Sequence, residues 1–335
     1  MGGALLTTIN EVADLANVSM STVSRVLSGK APVAEETRRK VLQAVAHLGY
    51  QPNVLAQGLR GVRLKTIALL IPNVQNLIFP ATIRAIEDVA NKRGYMVFLC
   101  NTDDNIKKEI FYITNLKRRI VDGIIFSTAS QESKHILQLK EEGFPVVTLI
   151  RHLNDSIDSV VLNNVDGAYK ATRYLLSRGL RKIAFINGDI KVKLYQDRYD
   201  GYKKAMAEGQ VPVREDMISH GIETWEESYE VMGKMLKAGS IPDGIFATSD
   251  SKAMGAMRAI YDCGLRIPED VSIIGFDNSG IAPLSEPPLT TVEQPFYEMG
   301  AAACNRLIKL IESNQQPLPE VQEMLAELVI RKSVI

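Results

Sequence analysis

Eight short apolar runs, separated by helix-length segments, constrain the fold of this chain more than any other feature. They have the length and the Val, Ile, Leu and Phe content of buried strands, and lie at 66–71, 95–100, 123–127, 146–149, 159–162, 182–187, 244–248 and 271–276. Amphipathic helices are predicted between them, at 78–92, 106–118, 166–178, 198–208, 225–237 and 251–262. Apolar strands that alternate with helices indicate parallel sheets covered on both faces.

These units could close one barrel or form two separate sheets. A chain of 335 residues is long enough for two or three domains. After Leu162 a second series of strands and helices repeats the first, which favours two doubly wound α/β lobes. In such lobes a ligand binds outside the carboxyl ends of the strands.

Residues 8–50 follow an all-α pattern and predict three short helices. Thr8 and Glu11 form a capping box at the first, Ser19 can cap the second, and Gly49 ends the third. The apolar positions expected to face inward are Ile9, Val12, Ala13, Ala16, Val23, Val26, Leu27, Val41, Leu42, Val45 and Leu48.

The outer face of the second helix is small and polar and carries one arginine, Arg25. Two helices joined by a four-residue turn, with such a face on the second, fit a helix-turn-helix that enters the DNA major groove. Arg25 has the fork geometry for guanine O6 and N7. On pattern alone, a three-helix bundle with a solvated polar face is the alternative.

The composition is that of a soluble globular protein, with 46% hydrophobic and 23% charged residues and zero net charge. Because no signal-peptide pattern and no run of 18 apolar residues occurs, we expect a cytoplasmic protein. Three scattered cysteines, Cys100, Cys263 and Cys304, are typical of reduced thiols. Nucleotide-binding and hydrolase motifs are missing, and the four histidines lack metal-ligand spacing. We therefore expect no enzyme activity, no metal and no cofactor.

Several motifs agree in order and spacing with one known family. They are VSMSTVSRVL at 18–27, EETR at 35–38, LGYQPN at 48–53 and LVIRKS at 328–333. With these motifs the chain closely resembles the lactose-repressor/galactose-repressor (LacI/GalR) family, and the resemblance runs through essentially its whole length.

The resemblance implies an all-α helix-turn-helix headpiece followed by an α/β core of two doubly wound parallel-sheet lobes, like a periplasmic sugar-binding protein. The implied domains are a DNA-binding domain at 1–51, a hinge helix or linker at 52–63, a core N-lobe at 64–163 and 294–325, and a core C-lobe at 164–293 and 326–335. The chain would cross between the lobes three times.

The resemblance also implies a homodimer that binds double-stranded operator DNA with two half-sites. Met20, Ser21 and Arg25 would read bases. The residues that would hold phosphates are Thr8, Ser19, Thr22 and Asn53. Leu59 would wedge into a base step of the minor groove when the hinge folds on DNA; a plain linker is the alternative for this segment.

A small-molecule effector would bind in the cleft between the lobes. The positions that match the family's effector-binding residues are Asn76, Phe79, Arg151, Arg198, Trp225, Ser249 and Asp277. Arg198 would fork onto ligand oxygens, Asp277 would accept from ligand hydroxyls, and Trp225 would stack on a sugar face. Ordinary core packing for Phe79 and Trp225, and a structural salt bridge for Arg198, are the alternatives.

Three positions depart from the family pattern. Ser249 stands where Asn is usual, Ile150 replaces the acid of an Asp-Arg pair while Arg151 is kept, and Ala34 replaces a serine cap. Loss of an acid beside retained arginines favours a sugar acid or sugar phosphate as effector over a neutral sugar. The Ala34 change should cost the third helix about 1 kcal/mol.

The sequence therefore predicts a ligand-responsive, sequence-specific transcription regulator of the repressor type, acting on carbohydrate-related genes. The alternatives are a corepressor-activated regulator of the same fold, a small-molecule receptor without a DNA role, and an α/β enzyme with a helical appendage.

Overall fold

A computed structural model describes residues 7–28, 32–50, 64–117, 120–313 and 317–335. The chain forms two compact units, Met1–Leu64 and Lys65–Ile335. The first unit, called the headpiece below, contains the helices α1 (Ile9–Ala16), α2 (Met20–Ser28) and α3 (Glu35–Leu48). The second unit is called the core.

The headpiece helices begin and end where the local sequence predicts. Thr8 and Glu11 exchange both hydrogen bonds of a capping box, and Asn17 and Gly49 end α1 and α3 in the left-handed conformation that favours such residues. The buried side chains of the headpiece are Val12, Ala13, Ala16, Val23, Val26, Val41 and Ala44.

The prediction that Leu42 is buried is wrong, because 46% of its surface is exposed. Val41 and Ala44 are buried and Leu48 packs against them, so these three residues occupy one face of α3. Leu42 lies about 100° around the helix from Val41 and therefore faces away from the other two helices.

In the core, six parallel strands form a first sheet with the order β11-β5-β4-β3-β1-β2. The strands are β1 (Thr66–Ile71), β2 (Met96–Asn101), β3 (Gly123–Phe126), β4 (Val146–Leu149), β5 (Asp158–Leu162) and β11 (Val321–Met324). The helices that accompany this sheet are α4 (Phe79–Lys92), α5 (Ile106–Lys117), α6 (Lys134–Glu141) and α11 (Phe296–Glu312). This sheet and its helices are called the first lobe.

A second six-stranded sheet has the order β12-β10-β9-β8-β6-β7 and is parallel except for the β10–β12 pair. Its strands are β6 (Ile183–Ile186), β7 (Ile218–Ser219), β8 (Gly244–Ala247), β9 (Ser272–Asp277), β10 (Thr290–Glu293) and β12 (Glu327–Val329). Its helices are α7 (Asn164–Ser177), α8 (Lys193–Glu208), α9 (Trp225–Lys237) and α10 (Asp250–Asp262). They form the second lobe.

The chain passes between the lobes three times: after β5, after β10 and between β11 and β12. Two open sheets rule out the alternative of a single barrel. The strands β7, β10, β11 and β12 are not among the eight predicted runs. The helix α8 begins at Lys193 rather than at Arg198, so Arg198 lies within the helix. In the described part of the chain, no helix is long and apolar enough to cross a membrane.

Candidate effector cleft and nucleic-acid interface

The outer face of α2 presents the side chains predicted to read DNA. Met20, Ser21 and Arg25 are exposed, whereas Val23 and Val26 of the same helix are buried. This division follows from helical periodicity, since the two valines lie on the opposite side of α2. A helix with a buried apolar face and a small polar face can lie in a DNA groove without losing its own packing.

The hydroxyl groups of Thr8 and Ser19 hold the starts of their helices. Thr8 Oγ1 accepts from the Glu11 amide at 3.4 Å, and Ser19 Oγ accepts from the Thr22 amide at 3.2 Å. The Thr8 hydroxyl can still donate its proton to a phosphate oxygen, whereas the Ser19 hydroxyl also shares hydrogen bonds with the hydroxyls of Ser21 and Thr22 at 2.8 and 2.9 Å. Asn53 and Leu59, the other predicted DNA contacts, lie outside the described residues.

A cavity of about 480 Å³ lies between the two lobes of the core. The side chains that line it include Asp104, Thr128, Arg151, Asp189, Tyr195 and Glu223. The first three follow β2, β3 and β4, and Asp189 follows β6, so the cavity lies at the carboxyl ends of strands in both sheets. This is the position at which doubly wound sheets bind ligands.

A larger cavity of about 650 Å³ lies where the chain crosses from β5 to α7. Among its polar groups, Lys193 pairs with Asp197 at 2.7 Å, and Asn163 donates to Glu323 at 2.9 Å. None of the buried polar atoms without a partner found among the described residues belongs to its lining. The smaller cavity at the strand ends is therefore the stronger candidate for a ligand site.

Arg151 lines this cavity but its guanidinium is held by Asp104, which is not among the predicted effector residues. Its Nη1 and Nη2 lie 2.7 and 2.9 Å from the two carboxylate oxygens of Asp104, a bidentate pair. The charge of Arg151 is thus already neutralised in the chain itself. The positive bias inferred from the loss of an acid at Ile150 is correspondingly smaller at this position.

Arg198 is buried in the second lobe. Its Nε donates to Asn164 Oδ1 at 2.9 Å and its Nη1 to the Thr248 carbonyl at 2.6 Å, while the guanidinium lies 3.7 Å from the ring centroid of Phe276. Both acceptors are neutral, an amide oxygen and a backbone carbonyl, rather than the carboxylate that the structural salt bridge would require. Burial lowers the pKa of Arg198, and the nearby charge of Asp277 opposes this shift.

Gly201 explains how Arg198 reaches its partner on α7. A Cβ at this glycine would lie 2.3 Å from the Val165 carbonyl oxygen, which real side chains essentially never do. The glycine therefore lets α8 approach the start of α7 closely, and this brings Asn164 within hydrogen-bond distance of Arg198. The Arg-x-x-Gly spacing thus has a packing reason.

Asp277 ends β9 in an unusual conformation. Its φ of 113° is in the left-handed range, where a residue other than glycine is strained, and such strain is concentrated at functional sites. Its carboxylate accepts from Gln294 Nε2 at 2.6 Å. Burial raises the pKa of Asp277 to about 7, against the opposing charge of Arg198.

Of the seven predicted effector residues, Arg151 belongs to the lining of the described cavity, whereas Arg198, Asp277 and the other four do not. Ser249 caps α10 by accepting from the Lys252 amide at 3.2 Å, and Asn76 Oδ1 accepts from the Ile78 amide at 3.2 Å. Phe79 is buried in the core, while Trp225 at the start of α9 is 48% exposed. Contact of these side chains with a ligand stays a prediction.

Four buried polar atoms near the strand ends have no hydrogen-bond partner among the described residues. They are Ser127 Oγ, Thr128 Oγ1, Asn187 Oδ1 and Gln294 Oε1, and their residues directly follow β3, β6 and β10. Buried polar atoms almost always have partners, so these atoms call for a ligand or ordered water. The sequence signal that could have found them is a polar residue directly after an apolar strand.

A helix-turn-helix headpiece followed by a two-lobed core with a polar interlobe cavity defines a ligand-responsive DNA-binding regulator. A family model for bacterial regulatory proteins of the lacI family matches residues 8–53, and one for a periplasmic binding protein-like domain matches residues 172–334. The ribose operon repressor of Halalkalibacterium halodurans is 41% identical over 329 residues, which cover 98% of this chain and 97% of that protein. The chain belongs to the LacI family of transcription regulators, and the predicted fold class is confirmed.

Solved structures agree with this assignment. The Lac repressor dimer bound to operator and the anti-inducer ONPF superposes with a TM-score of 0.87 at 27% identity, over 99% of this chain and 100% of that one. A LacI family regulator from Enterococcus faecium with bound ribose superposes with a TM-score of 0.73 at 30% identity, over 80% of this chain and 98% of that one. Members of the family are regulators of transcription rather than enzymes.

Proposed function

We propose that this chain is a repressor of carbohydrate-related genes, in which a sugar, sugar acid or sugar phosphate bound between the lobes changes the affinity for operator DNA. The observation that carries the proposal is the set of unpaired buried polar atoms at the strand ends of both lobes. A regulator of this kind would act in the cytoplasm, with the DNA it controls.

The unpaired polar groups at the strand ends support a hydroxylated ligand. Ser127 and Thr128 offer hydroxyl groups, and Asn187 and Gln294 offer carbonyl oxygens that lack donors within the described chain. A sugar presents hydroxyls that both donate and accept, so it can satisfy both kinds of atom at once. The ribose operon repressor and the ribose-bound regulator among the similar proteins support a sugar of this class.

Operator recognition would use the exposed face of α2. We assign base reading to Met20, Ser21 and Arg25, which are exposed on one helix face. The residues that would hold phosphates and so set the register are Thr8, Ser19, Thr22 and Asn53. Leu59 would kink the duplex from the minor groove.

An apolar surface on the first lobe supports a homodimer. Its exposed side chains lie on the edge strand β2 and on α5, and are Met96, Phe98, Leu99, Ile110 and Phe111. Exposed apolar edge strands invite association unless they are covered. A second copy of the chain would cover this surface and present two headpieces to the two half-sites of an operator.

The test uses the full chain and fragmented genomic DNA. We expect the protein to select a small set of fragments that contain a near-palindrome, and a sugar, sugar acid or sugar phosphate to change its affinity for them. Release of DNA by the ligand would make it an inducer, and tighter binding a corepressor. Failure to prefer any fragment, with or without these ligands, would contradict the proposal and leave a receptor without a DNA role.

A further inference from the structure

Lys252 is a buried lysine without an acidic partner. It is the third residue of α10 and only 2% exposed. Within the described chain its Nζ makes no salt bridge and no hydrogen bond, and its recorded contact is with the ring of Tyr195, whose centroid lies 5.0 Å away. Lysine is almost never buried this far unless it is paired. A cation in this position calls for an anion.

The neighbouring acids are already occupied. Asp250 accepts from Thr291 Oγ1 at 2.5 Å and from the amide and hydroxyl of Ser279 at 2.6 and 2.8 Å. Asp277 accepts from Gln294, and its charge interacts with Lys252 only at a distance beyond a salt bridge. The ammonium of Lys252 therefore has donor capacity that no side chain of the described residues uses.

A second cation lies near the same ring. The guanidinium carbon of Arg198 is 5.8 Å from the ring centroid of Tyr195, and Tyr195 itself lines the interlobe cavity. Arg198 uses Nε and Nη1 for Asn164 and Thr248, and its Nη2 makes no hydrogen bond within the described chain. Two buried cations with unused donors thus border one aromatic side chain of the cavity.

We propose that Lys252 and Arg198 form a subsite for the oxyanion of the effector, a carboxylate or a phosphate monoester, and that Lys252 selects charged over neutral ligands. This inference rests on the proposed function and moves the anion-binding role away from Arg151, which Asp104 already neutralises. Arg198 would supply a directional donor, and Lys252 a compact charge.

The test measures binding to the full chain by titration calorimetry. The probes are matched sets: ribose, ribonate and ribose 5-phosphate; glucose, gluconate and glucose 6-phosphate; and inorganic phosphate alone, each at constant ionic strength. We expect at least one charged sugar to bind about tenfold or more tightly than its neutral parent. Comparison of the affinities for ribonate and gluconate with those for the two sugar phosphates identifies which oxyanion is preferred.

The decisive variant is Lys252→Met, which keeps an unbranched side chain of similar length and removes the charge. It should lose the tenfold preference and bind the neutral sugar as well as the wild type does. The control is Lys234→Met on α9, whose lysine is exposed beside Glu230. This control should keep the full preference.

Thermal unfolding without ligand gives a second readout. If Lys252 is kept for a ligand, Lys252→Met should raise the unfolding temperature, because it removes a buried charge without a partner. If the lysine instead had a structural role, its replacement would lower the unfolding temperature. Inorganic phosphate should raise the unfolding temperature of the wild type more than that of the variant.

The inference is overturned if neutral and charged sugars bind the wild type equally, if no anion binds, or if Lys252→Met retains the preference. Selection of genomic DNA by the wild type is measured separately. DNA release or tightening by a neutral sugar alone would refute the subsite and leave the proposed function intact. Anion binding without any DNA preference would refute the proposed function instead.

Discussion

Asp277 combines a strained backbone, burial and a raised pKa in one residue. A carboxyl whose pKa is higher in the folded protein than in the unfolded chain binds its proton more tightly when folded. Its contribution to stability is therefore complete below its ordinary pKa near 4 and is lost as the pH rises towards 7. The chain keeps a residue that opposes its own stability at neutral pH, which is typical of a functional site.

Replacement of Asp277 by Asn should remove this pH dependence. Between about pH 4 and pH 7 the free energy of unfolding of the wild type should fall relative to Asp277→Asn by a few kcal/mol, because the unfolded wild-type chain releases the Asp277 proton in this range while the folded protein keeps it. Thermal unfolding of both proteins across this range measures the difference. Glu226→Gln, which changes an exposed acid on α9, is the control; a pH-independent difference for Asp277→Asn would contradict the assignment.

Arg25 is the residue on α2 for which a base-specific effect is expected. Arg25→Ala should relax discrimination at one base pair of each half-site by about 1–3 kcal/mol, because a bidentate contact with guanine is lost. Competition binding with single-base operator variants measures it. Arg39→Ala on the exposed side of α3 should weaken all sites alike or none. A uniform loss for Arg25→Ala would instead indicate a phosphate contact.

At the scale of the element, α3 begins without a side-chain cap. Ala34 occupies the N-cap position and makes no capping hydrogen bond, whereas Thr8 caps α1 and Thr224 caps α9 with complete capping boxes. The first amides of α3 therefore lack the acceptor that a serine at this position would supply. We expect the missing serine cap to lower the stability of the headpiece without changing which bases it recognises.

Ala34→Ser should raise the free energy of unfolding of the headpiece by about 1 kcal/mol. Ala34→Val, which offers no side-chain acceptor, is the matched comparison and should bring no gain. Amide hydrogen exchange in α3 of the full chain measures both. Equal protection in the two variants would show that a side-chain cap is not what limits this helix.

At the scale of the whole molecule, the dimer surface on β2 and α5 can be tested apart from ligand and DNA. Phe111 is 63% exposed within it, and Phe111→Asp should weaken dimerisation at least about tenfold by placing a charge in an apolar interface. Leu318→Asp changes an exposed apolar residue outside this surface and should have no effect. Analytical sedimentation over a range of protein concentrations measures the dimer dissociation constant. Equal dissociation constants for the two variants would show that the interface does not lie on this surface.

The division of labour between the hinge segment and the core gives a further prediction. Leu59→Ala should weaken operator binding, while the effector affinity of the DNA-free protein stays within about twofold of the wild type, because the leucine is expected to contact DNA alone. In the wild type, effector and operator must change each other's affinity by the same factor. Shift assays and calorimetry measure both quantities, and equal loss of both would contradict this division.

The sequence by itself determined the local structure of this protein. Apolar runs such as Thr66–Ile71 and Val146–Leu149 are strands with the predicted bounds, and Thr8 with Glu11 forms the predicted capping box. Periodicity and capping act between residues that are close along the chain, so they can be read without knowledge of the packing. The prediction for Leu42 was wrong, because this residue lies outside the buried face of α3 that the helical period defines.

Only the tertiary structure decided which charges meet in the cleft. Arg151 is paired with Asp104 across 47 residues, Arg198 reaches Asn164 on another helix, and Lys252 ends beside Tyr195 without an acid. Helix and strand periods fix the face of an element on which a side chain lies, but its partner depends on how distant elements pack. Which charges of the cleft are paired therefore depends on how the lobes pack. The positions of the strand ends, by contrast, could be predicted from the sequence.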